Sequence, residues 1–399
     1  MLTKRSFKDL PLEGKKVLVR VDYNVPLDKE GNVTDDSRIK ASFPTLQFLL
    51  EKKAKVILIA HLGRPKGQIN AKYSLKPVVE PLKKLLNVPV SFAENCVGPT
   101  ATDAVGQLKP GEVLLLENLR FHSEEEKAKA DFGKELAKLA DFFVQDAFGA
   151  VHRAHASTTL IPQHLESGAG DLLQKELEFL TKVRSNPTRP FLAILGGAKV
   201  SDKIGVVESL LNTVDSLFIG GAMAYTFLKA KGIETGESRV EEESVEFCKS
   251  VLKRAQEKNI SLLLPADHLI VQDIEKTEQA KLTDNENIPS AWKGVDTGPK
   301  TSALIQPIIS QAKTIFWNGP AGIFEVETYS KGTMDIAQKV AQVAKAGHTV
   351  VVGGGDSVSA VKKAGVANDI TFISTGGGAS LEFLEGKELP GVVALPDAN

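Results

Sequence analysis

The chain has 399 residues, of which 42% are hydrophobic and 25% charged; this is a globular composition on more length than one ordinary core accommodates, so two domains are expected. With 49 Lys and Arg against 50 Asp and Glu, the formal charge of −1 excludes a bulk pull toward nucleic acid or anionic membrane, and any anion site must be local. Cys96 and Cys248 are the two cysteines and form no CxxC pair, which argues against a disulfide framework or a thiolate metal site and fits a reducing compartment.

The opening MLTKRSFKDLPLEGKK lacks an apolar signal core, and no run reaches the roughly 18 apolar residues of a membrane span, so neither export nor insertion is expected. The expected compartment is the cytoplasm; an organellar form freed of its transit peptide would share this sequence.

Short β-branched runs then recur along the chain: KKVLVRV, AKVILIA, EVLLLEN and DFFVQDAF in the first half, followed by FLAIL, SLFIGG, SLLLP, TIFWNG, HTVVVGGG and ITFIST. They are continuously apolar rather than alternating, as strands buried on both faces of a parallel sheet are. Segments of helical period lie between them, the first carrying Ile39, Phe43, Leu46 and Leu50 after a start signal at Asp35 to Ser37. At 171–184 a helix with Leu173, Leu177 and Leu180 on one stripe interrupts the alternation, and the breaker SNPTRP follows it. The pattern predicts an α/β protein of two doubly wound, Rossmann-like parallel-sheet lobes of similar size, with a cleft between them. The expected division is an N-terminal lobe over 1–170, a connecting helix or hinge over 171–186, and a C-terminal lobe over 187–385.

The first half places arginines and histidines where strands end: Arg20, Asp22 and Asn24, then His61 and Arg64, Arg120, and finally His152, Arg153 and His155, with Arg38 at the start of the first helix. Open α/β sheets bind ligands beyond the carboxyl ends of their strands, and guanidinium forks take carboxylate and phosphate bidentately. Arg38, Arg64, Arg120 and Arg153 are therefore expected to converge on a small, multiply anionic substrate. Asp22 and Asn24 are suited to accepting from a substrate hydroxyl or to orienting the arginines. His152 and His155 also have the spacing of a metal pair, which no carboxylate or cysteine motif supports.

The second half opens on ILGGAKVSDKIG, an apolar strand that runs through Gly196 and Gly197 into Lys199 and Lys203. The i, i+4 spacing predicts both lysines on one face of a helix's first turns, beside free N–H groups, an arrangement suited to a polyphosphate; a surface helix with solvated lysines would share the pattern. Further glycines stand at strand ends: Gly220 and Gly221, Gly353, Gly354 and Gly355 before Asp356 and Ser357, and Gly376 to Gly378 before Ala379. Asp356 amid anion-binding loops suits either a Mg²⁺ site or a helix N-cap. No Walker A string, GxGxxG or protein-kinase motif set occurs. The residues so read describe a phosphorylated carboxylic acid held by arginines and a Mg-nucleotide held on glycine loops; a nicotinamide oxidoreductase, another small-molecule kinase and a non-catalytic anion binder stay as alternatives.

VLVRVDYNVP, DDSRIKAS, AHLGRP, ENLRF, DAFGAVHRAH, GGAKVSDKI, WNGPAGIFE, GGGDS and STGGGAS resemble, in order, segments of the phosphoglycerate kinase family over essentially the whole chain. Tyr23, Gln145, Val151 and Ala222 depart from the residues expected there. The resemblance implies a phosphotransferase with a carboxyl acceptor, moving phosphoryl reversibly between 1,3-bisphosphoglycerate and MgADP, in glycolysis or, reversed, in carbon fixation. It implies that Asp22, Asn24, Arg38, His61, Arg64, Arg120 and Arg153 bind the phosphoglycerate. It assigns Lys199, Lys203, Gly220, Gly221, Gly294, Asn318, Pro320, Glu325, Gly353, Gly354, Gly355, Asp356, Ser357, Thr375 and Gly376 to the nucleotide and the transferring group. Among these, Arg38, Lys199, Lys203 and Gly376 would be catalytic, Asp356 would hold Mg²⁺ and Glu325 the ribose. The family's architecture further implies that residues 386–399 pack on the N-terminal lobe. Hinge closure about the 171–184 helix and a monomeric enzyme are expected.

Overall fold

A computed structural model describes residues 3–398. The chain divides into two compact units, one holding residues up to Glu178 together with those from Glu388 onward, the other Phe179–Lys387. The division falls inside a single helix, Asp171–Ser185, whose Leu173, Leu177 and Leu180 are all buried. Among the described residues, no helix is long and apolar enough to cross a membrane.

The first unit is built on six parallel strands, β1 (Lys16–Arg20), β2 (Lys55–Ile59), β3 (Val90–Ala93), β4 (Val113–Leu116), β5 (Phe142–Gln145) and β6 (Glu166–Ala169), in the order β3-β4-β2-β1-β5-β6. Their continuous apolarity has the expected cause. Val17 and Val19 of β1 and Val56 and Leu58 of β2 enter one core with Leu46, Leu49 and Leu82, while Leu18, Ile57 and Ile59 enter a second with Val105, Leu136 and Ala101. Helices thus cover both faces, and successive strand residues must all be apolar. The edge strands β3 and β6 escape sequence reading because VSFA and ESGA are short and half polar. The first predicted helix is two, Ser37–Ala41 and Phe43–Glu51, separated at Ser42 with Pro44 in the first turn of the second.

The far end of the chain also packs in this unit. The Arg5 N–H donates to Pro396 O at 3.0 Å, the Ala398 N–H to Thr3 O at 3.0 Å, and the Gly391 N–H to Val151 O at 2.9 Å. Gly391 lies so close that a Cβ there would stand 2.9 Å from that of Val151.

The second unit has a six-stranded parallel sheet of β7 (Phe191–Leu195), β8 (Ser216–Ile219), β9 (Ser261–Leu263), β13 (Thr314–Asn318), β14 (Thr349–Gly353) and β15 (Phe372–Ile373), ordered β15-β14-β13-β7-β8-β9. Each of these was foreseen as an apolar run. A three-stranded antiparallel sheet of β10 (His268–Val271), β11 (Lys281–Leu282) and β12 (Lys293–Thr297), ordered β11-β10-β12, was not: β11 and β12 are short and mix polar with apolar residues, and apolar HLIV of β10 is only four residues long. In both large sheets the chain runs outward in opposite directions from one central pair, β1 with β5 and β7 with β13. Such a reversal opens a crevice at the carboxyl ends of that pair.

Candidate active site

In the first unit, Arg20 ends β1 opposite Ile59 of β2 and Gln145 of β5, so the segments that follow those strands emerge side by side. With the segment that follows β4, they enclose a cavity of about 200 Å³ lined by Asn24, His61, Gly63, Arg64, Arg120 and Arg153, with Gly149, Ala150 and His152 completing the wall. Five of the seven sequence-predicted acid ligands, Asn24, His61, Arg64, Arg120 and Arg153, therefore line one cavity, and their environments separate them into anchors and arms. Arg120 is buried and its Nη1 donates to Gly63 O at 2.9 Å, while Arg64 and Arg153 are exposed. Asn24 accepts the Gly63 N–H on Oδ1 at 2.9 Å, which fixes the loop that carries Arg64.

Arg38 and Asp22 form a close ion pair through Nη1 and Oδ2, with Asp22 buried and the arginine side chain about one-third exposed. Asp22 is thus placed to orient an arginine. Arg38 does not line the 200 Å³ cavity itself. Its charge nevertheless reaches His61, whose imidazole is held well below its ordinary value, first by burial and then by Arg20, Arg120 and Arg38. His155 is pushed down to about 4 by burial and by Arg120, Arg20 and Arg153. Both rings are accordingly neutral at pH 7, and the positive charge of the basin belongs to guanidinium groups. Among the described residues no group of three or more His, Cys, Asp or Glu could hold a metal, so the His152 and His155 spacing does not extend into one. Arg153 Nε donates to His152 Nε2 at 3.1 Å.

In the second unit, Asn318 ends β13 with Leu195 of β7 on one side and Gly353 of β14 on the other, and Ile219 of β8 lies beside Leu195. The loops that carry Gly196 to Lys203, Gly220 and Gly221, Pro320, Gly354 to Ser357, and Thr375 with Gly376 therefore leave the sheet along one edge. Lys203 is buried and its Nζ donates to Asn318 O at 2.7 Å and to Asn318 Oδ1 at 2.5 Å. The amide of Asn318 in turn donates to Gly353 O at 2.8 Å, and the Gly319 N–H donates to Ser357 Oγ at 2.5 Å. Burial brings the Lys203 ammonium down to about 8, against the opposing pull of Asp356 and Asp202.

Glycine is required where these loops meet. A Cβ on Gly221 would lie 2.6 Å from Gly197 N and 2.8 Å from Pro320 O, and the residue has φ +65. The helix Gly355–Lys363 starts directly after Gly354, and exposed Asp356 sits in its first turn.

The lysine pair departs from its predicted geometry. Lys199 is exposed in the turn that precedes a short 3₁₀ segment, Ser201–Lys203, and the α-helix begins only at Ile204. The two lysines therefore do not share a helix face. Nor are the N–H groups at the turn free: Val200 and Ser201 donate to Glu241 Oε2 at 2.5 and 3.1 Å. Gly294 and Glu325 lie off the strand-end row. Gly294 sits in β12, where its N–H donates to Ser238 Oγ at 2.9 Å and a Cβ would meet the Tyr225 hydroxyl at 2.0 Å. Exposed Glu325 follows the Ile323 turn, which is tied to β12 by a 2.8 Å bond from Ile323 N–H to Val295 O.

Two buried residues were not read as site residues from the sequence. Glu125 and Ser157 lie behind the arginines, with the Ser157 hydroxyl donating to Glu125 at 2.6 Å and accepting from Arg20 Nε at 2.9 Å. No motif announces them, because their partners are 32 and 137 residues distant in sequence.

A profile of the phosphoglycerate kinase family matches residues 7–387. Phosphoglycerate kinase of Koribacter versatilis is 52% identical over 403 residues, covering 99% of each chain, and that of Chlorobium chlorochromatii is 50% identical over 395 residues, covering 99% of this chain and 100% of the relative. Phosphoglycerate kinase 2, chloroplastic, of Arabidopsis thaliana is 51% identical over 402 residues, which span 100% of this chain and 84% of the relative. Among solved structures, phosphoglycerate kinase from Coxiella burnetii superposes with a TM-score of 0.86 at 40% identity, and that from Pyrococcus horikoshii with 0.85 at 32%, each over 98% of both chains. With one profile spanning both units and relatives about 50% identical over essentially the whole chain, the chain belongs to the phosphoglycerate kinase family and is a phosphotransferase.

Proposed function

We propose that this chain catalyses reversible phosphoryl transfer from the acyl phosphate of 1,3-bisphosphoglycerate to MgADP, giving 3-phosphoglycerate and MgATP. The observation that carries the reading is the cavity lined by Arg64, Arg120 and Arg153 with neutral His61, which suits a small ligand bearing both a carboxylate and a phosphate. Asp22 and Asn24 set the positions of Arg38 and the Arg64 loop, and Arg38 contributes charge at the transferring group.

The nucleotide and the transferring phosphoryl fall to Lys199, Lys203 and the glycine loops of the second unit, with Gly220, Gly221, Gly294, Asn318, Pro320 and Thr375, and the ribose to Glu325. In the direction of ATP consumption the nucleophile is a carboxylate, with a pKa of about 3 to 4, and needs no general base. The site accordingly offers cations and backbone N–H groups rather than a proton acceptor; Arg38, Lys203 and the backbone at Gly376 oppose charge on the phosphoryl group.

A Mg²⁺ ion fits the donor set. Mg²⁺ at nucleotide sites is held by one or two carboxylates together with substrate phosphates and water, and Asp356 supplies one exposed carboxylate beside the glycine loops. When bound, the ion neutralises phosphate charge and orients the phosphates.

Because the acid's ligands belong to one unit and the nucleotide's to the other, transfer requires the units to bring their ligands together. Small-angle scattering tests this requirement: the radius of gyration should fall when 3-phosphoglycerate and MgATP are both present, and an unchanged radius under turnover conditions contradicts it. The reaction itself is tested by turnover of ATP dependent on both 3-phosphoglycerate and Mg²⁺.

A further inference from the structure

Behind the arginine-lined cavity runs a chain of hydrogen bonds that starts at a carboxylate with no contact to the cavity. Glu125 is fully buried in the short helix Ser123–Glu126. Its Oε2 accepts the Ser157 N–H at 2.9 Å and its Oε1 the Ser157 O–H at 2.6 Å. With its proton directed at Glu125, the Ser157 hydroxyl presents lone pairs to Arg20, whose Nε–H reaches it at 2.9 Å. The same guanidinium donates through Nη1 to Val21 O at 2.5 Å and through Nη2 to His61 Nδ1 at 3.0 Å. Arg20 is itself buried, and a guanidinium that keeps its proton in the interior needs a compensating charge. Glu125 supplies one at a remove of a single hydroxyl.

The direction of the last bond determines the state of His61. Arginine has donors and no acceptor, so His61 Nδ1 must accept and the ring is neutral with its proton on Nε2. Arg20, Arg120, Arg38 and His155 all act on this ring, and each disfavours a second proton. A ring in this form offers the cavity an N–H donor; the other tautomer would offer a lone pair, which an anionic oxygen avoids.

We propose that Glu125 is a positioning residue for the acid: through the Ser157 hydroxyl it anchors the Arg20 guanidinium in the orientation that holds His61 in its Nε2–H form. The inference rests on reading the arginine-lined cavity as the acid site. Loss of the carboxylate leaves the Ser157 hydroxyl without its anionic acceptor, so that it no longer holds its lone pairs on Arg20 Nε, and His61 then populates both tautomers.

Two variants of the full chain test it. Glu125→Gln keeps the volume and removes the charge; Ser157→Ala keeps the charge and removes only the bridge, and decides alone if the first does not fold. The side-chain ¹⁵N shifts of His61, identified by their loss in His61→Gln, report its tautomer in the free protein, while steady-state kinetics report KM for 3-phosphoglycerate and for ATP separately. The wild type should show the Nε2–H form alone. The folded variants should show a mixture of tautomers and a KM for 3-phosphoglycerate raised by about ten-fold at unchanged KM for ATP. A residue that only stabilised the fold would lower the melting temperature and leave the tautomer as it was. Retention of a pure Nε2–H ring in the folded variants overturns the proposal. The NMR readout needs no substrate, so a wild type inert toward 3-phosphoglycerate would sink the acid reading while leaving the tautomer result to stand or fall separately.

Discussion

Lys203 Nζ donates to both the carbonyl and the side-chain oxygen of Asn318, at 2.7 and 2.5 Å, so one ammonium ties the first glycine loop of the second unit to the end of its central strand. The charge is thereby preorganised before any phosphate arrives. Removal of a preorganised cationic contact typically costs about 10² to 10³ in rate. Lys203→Met should lower kcat by that order, with circular dichroism showing the fold retained; a loss of less than ten-fold would remove Lys203 from the transferring site.

Burial holds the Lys203 ammonium at about 8, below its ordinary 10.5. A folded-state value below the unfolded one means that the charged form opposes folding below about pH 8 and that this penalty is relieved as pH rises toward the unfolded value of about 10.5. The proposed phosphate binding takes the opposite sign, because it would need the protonated amine. MgADP affinity, followed by isothermal titration calorimetry, should be full below about pH 8 and fall above it. Lys203→Arg, whose guanidinium stays charged, should flatten the profile.

The ion pair between Arg38 and buried Asp22 separates two kinetic effects. If Arg38 acts at the transferring group as proposed, Arg38→Ala should reduce kcat by about 10² to 10³. Asp22→Asn leaves that charge in place and loosens it, and should chiefly raise KM for 3-phosphoglycerate, by about ten-fold or less. Initial-rate measurements with each substrate varied distinguish the two; equal kcat losses would show that Asp22 acts on the transfer itself.

Gly319 has φ +100, and a Cβ there would stand 2.1 Å from Gly196 O and 2.9 Å from Lys203 Nζ. Gly319→Ala should destabilise the second unit by about 1 to 3 kcal/mol or more and weaken nucleotide binding with it. Urea unfolding and MgADP titration measure both, and a variant of wild-type stability would contradict the packing described.

Much of this architecture is legible in the sequence because the strands are buried on both faces: Leu18 belongs to one core and its neighbours Val17 and Val19 to the other. β3, β6, β11 and β12 are not legible, since short strands at sheet edges mix polar and apolar residues, and the apolar run of β10 between β11 and β12 is only four residues long. The arginines stand out by their positions after strands, yet nothing local tells buried Arg20 and Arg120 from exposed Arg64 and Arg153. That difference is set by Glu125, Ser157 and Gly63, which the fold brings from elsewhere in the chain. Likewise, the spacing of Lys199 and Lys203 suggests one helix face, but Glu241, some 40 residues on, takes the N–H groups of Val200 and Ser201 and the helix starts later.

The most direct test of the account is ADP formation from ATP with and without 3-phosphoglycerate, at saturating and zero Mg²⁺, with a coupling dehydrogenase consuming the acyl phosphate. Turnover that requires both 3-phosphoglycerate and Mg²⁺ and is lost in Arg38→Ala is the predicted result. ATP turnover indifferent to 3-phosphoglycerate, or none at all from folded protein, would contradict it.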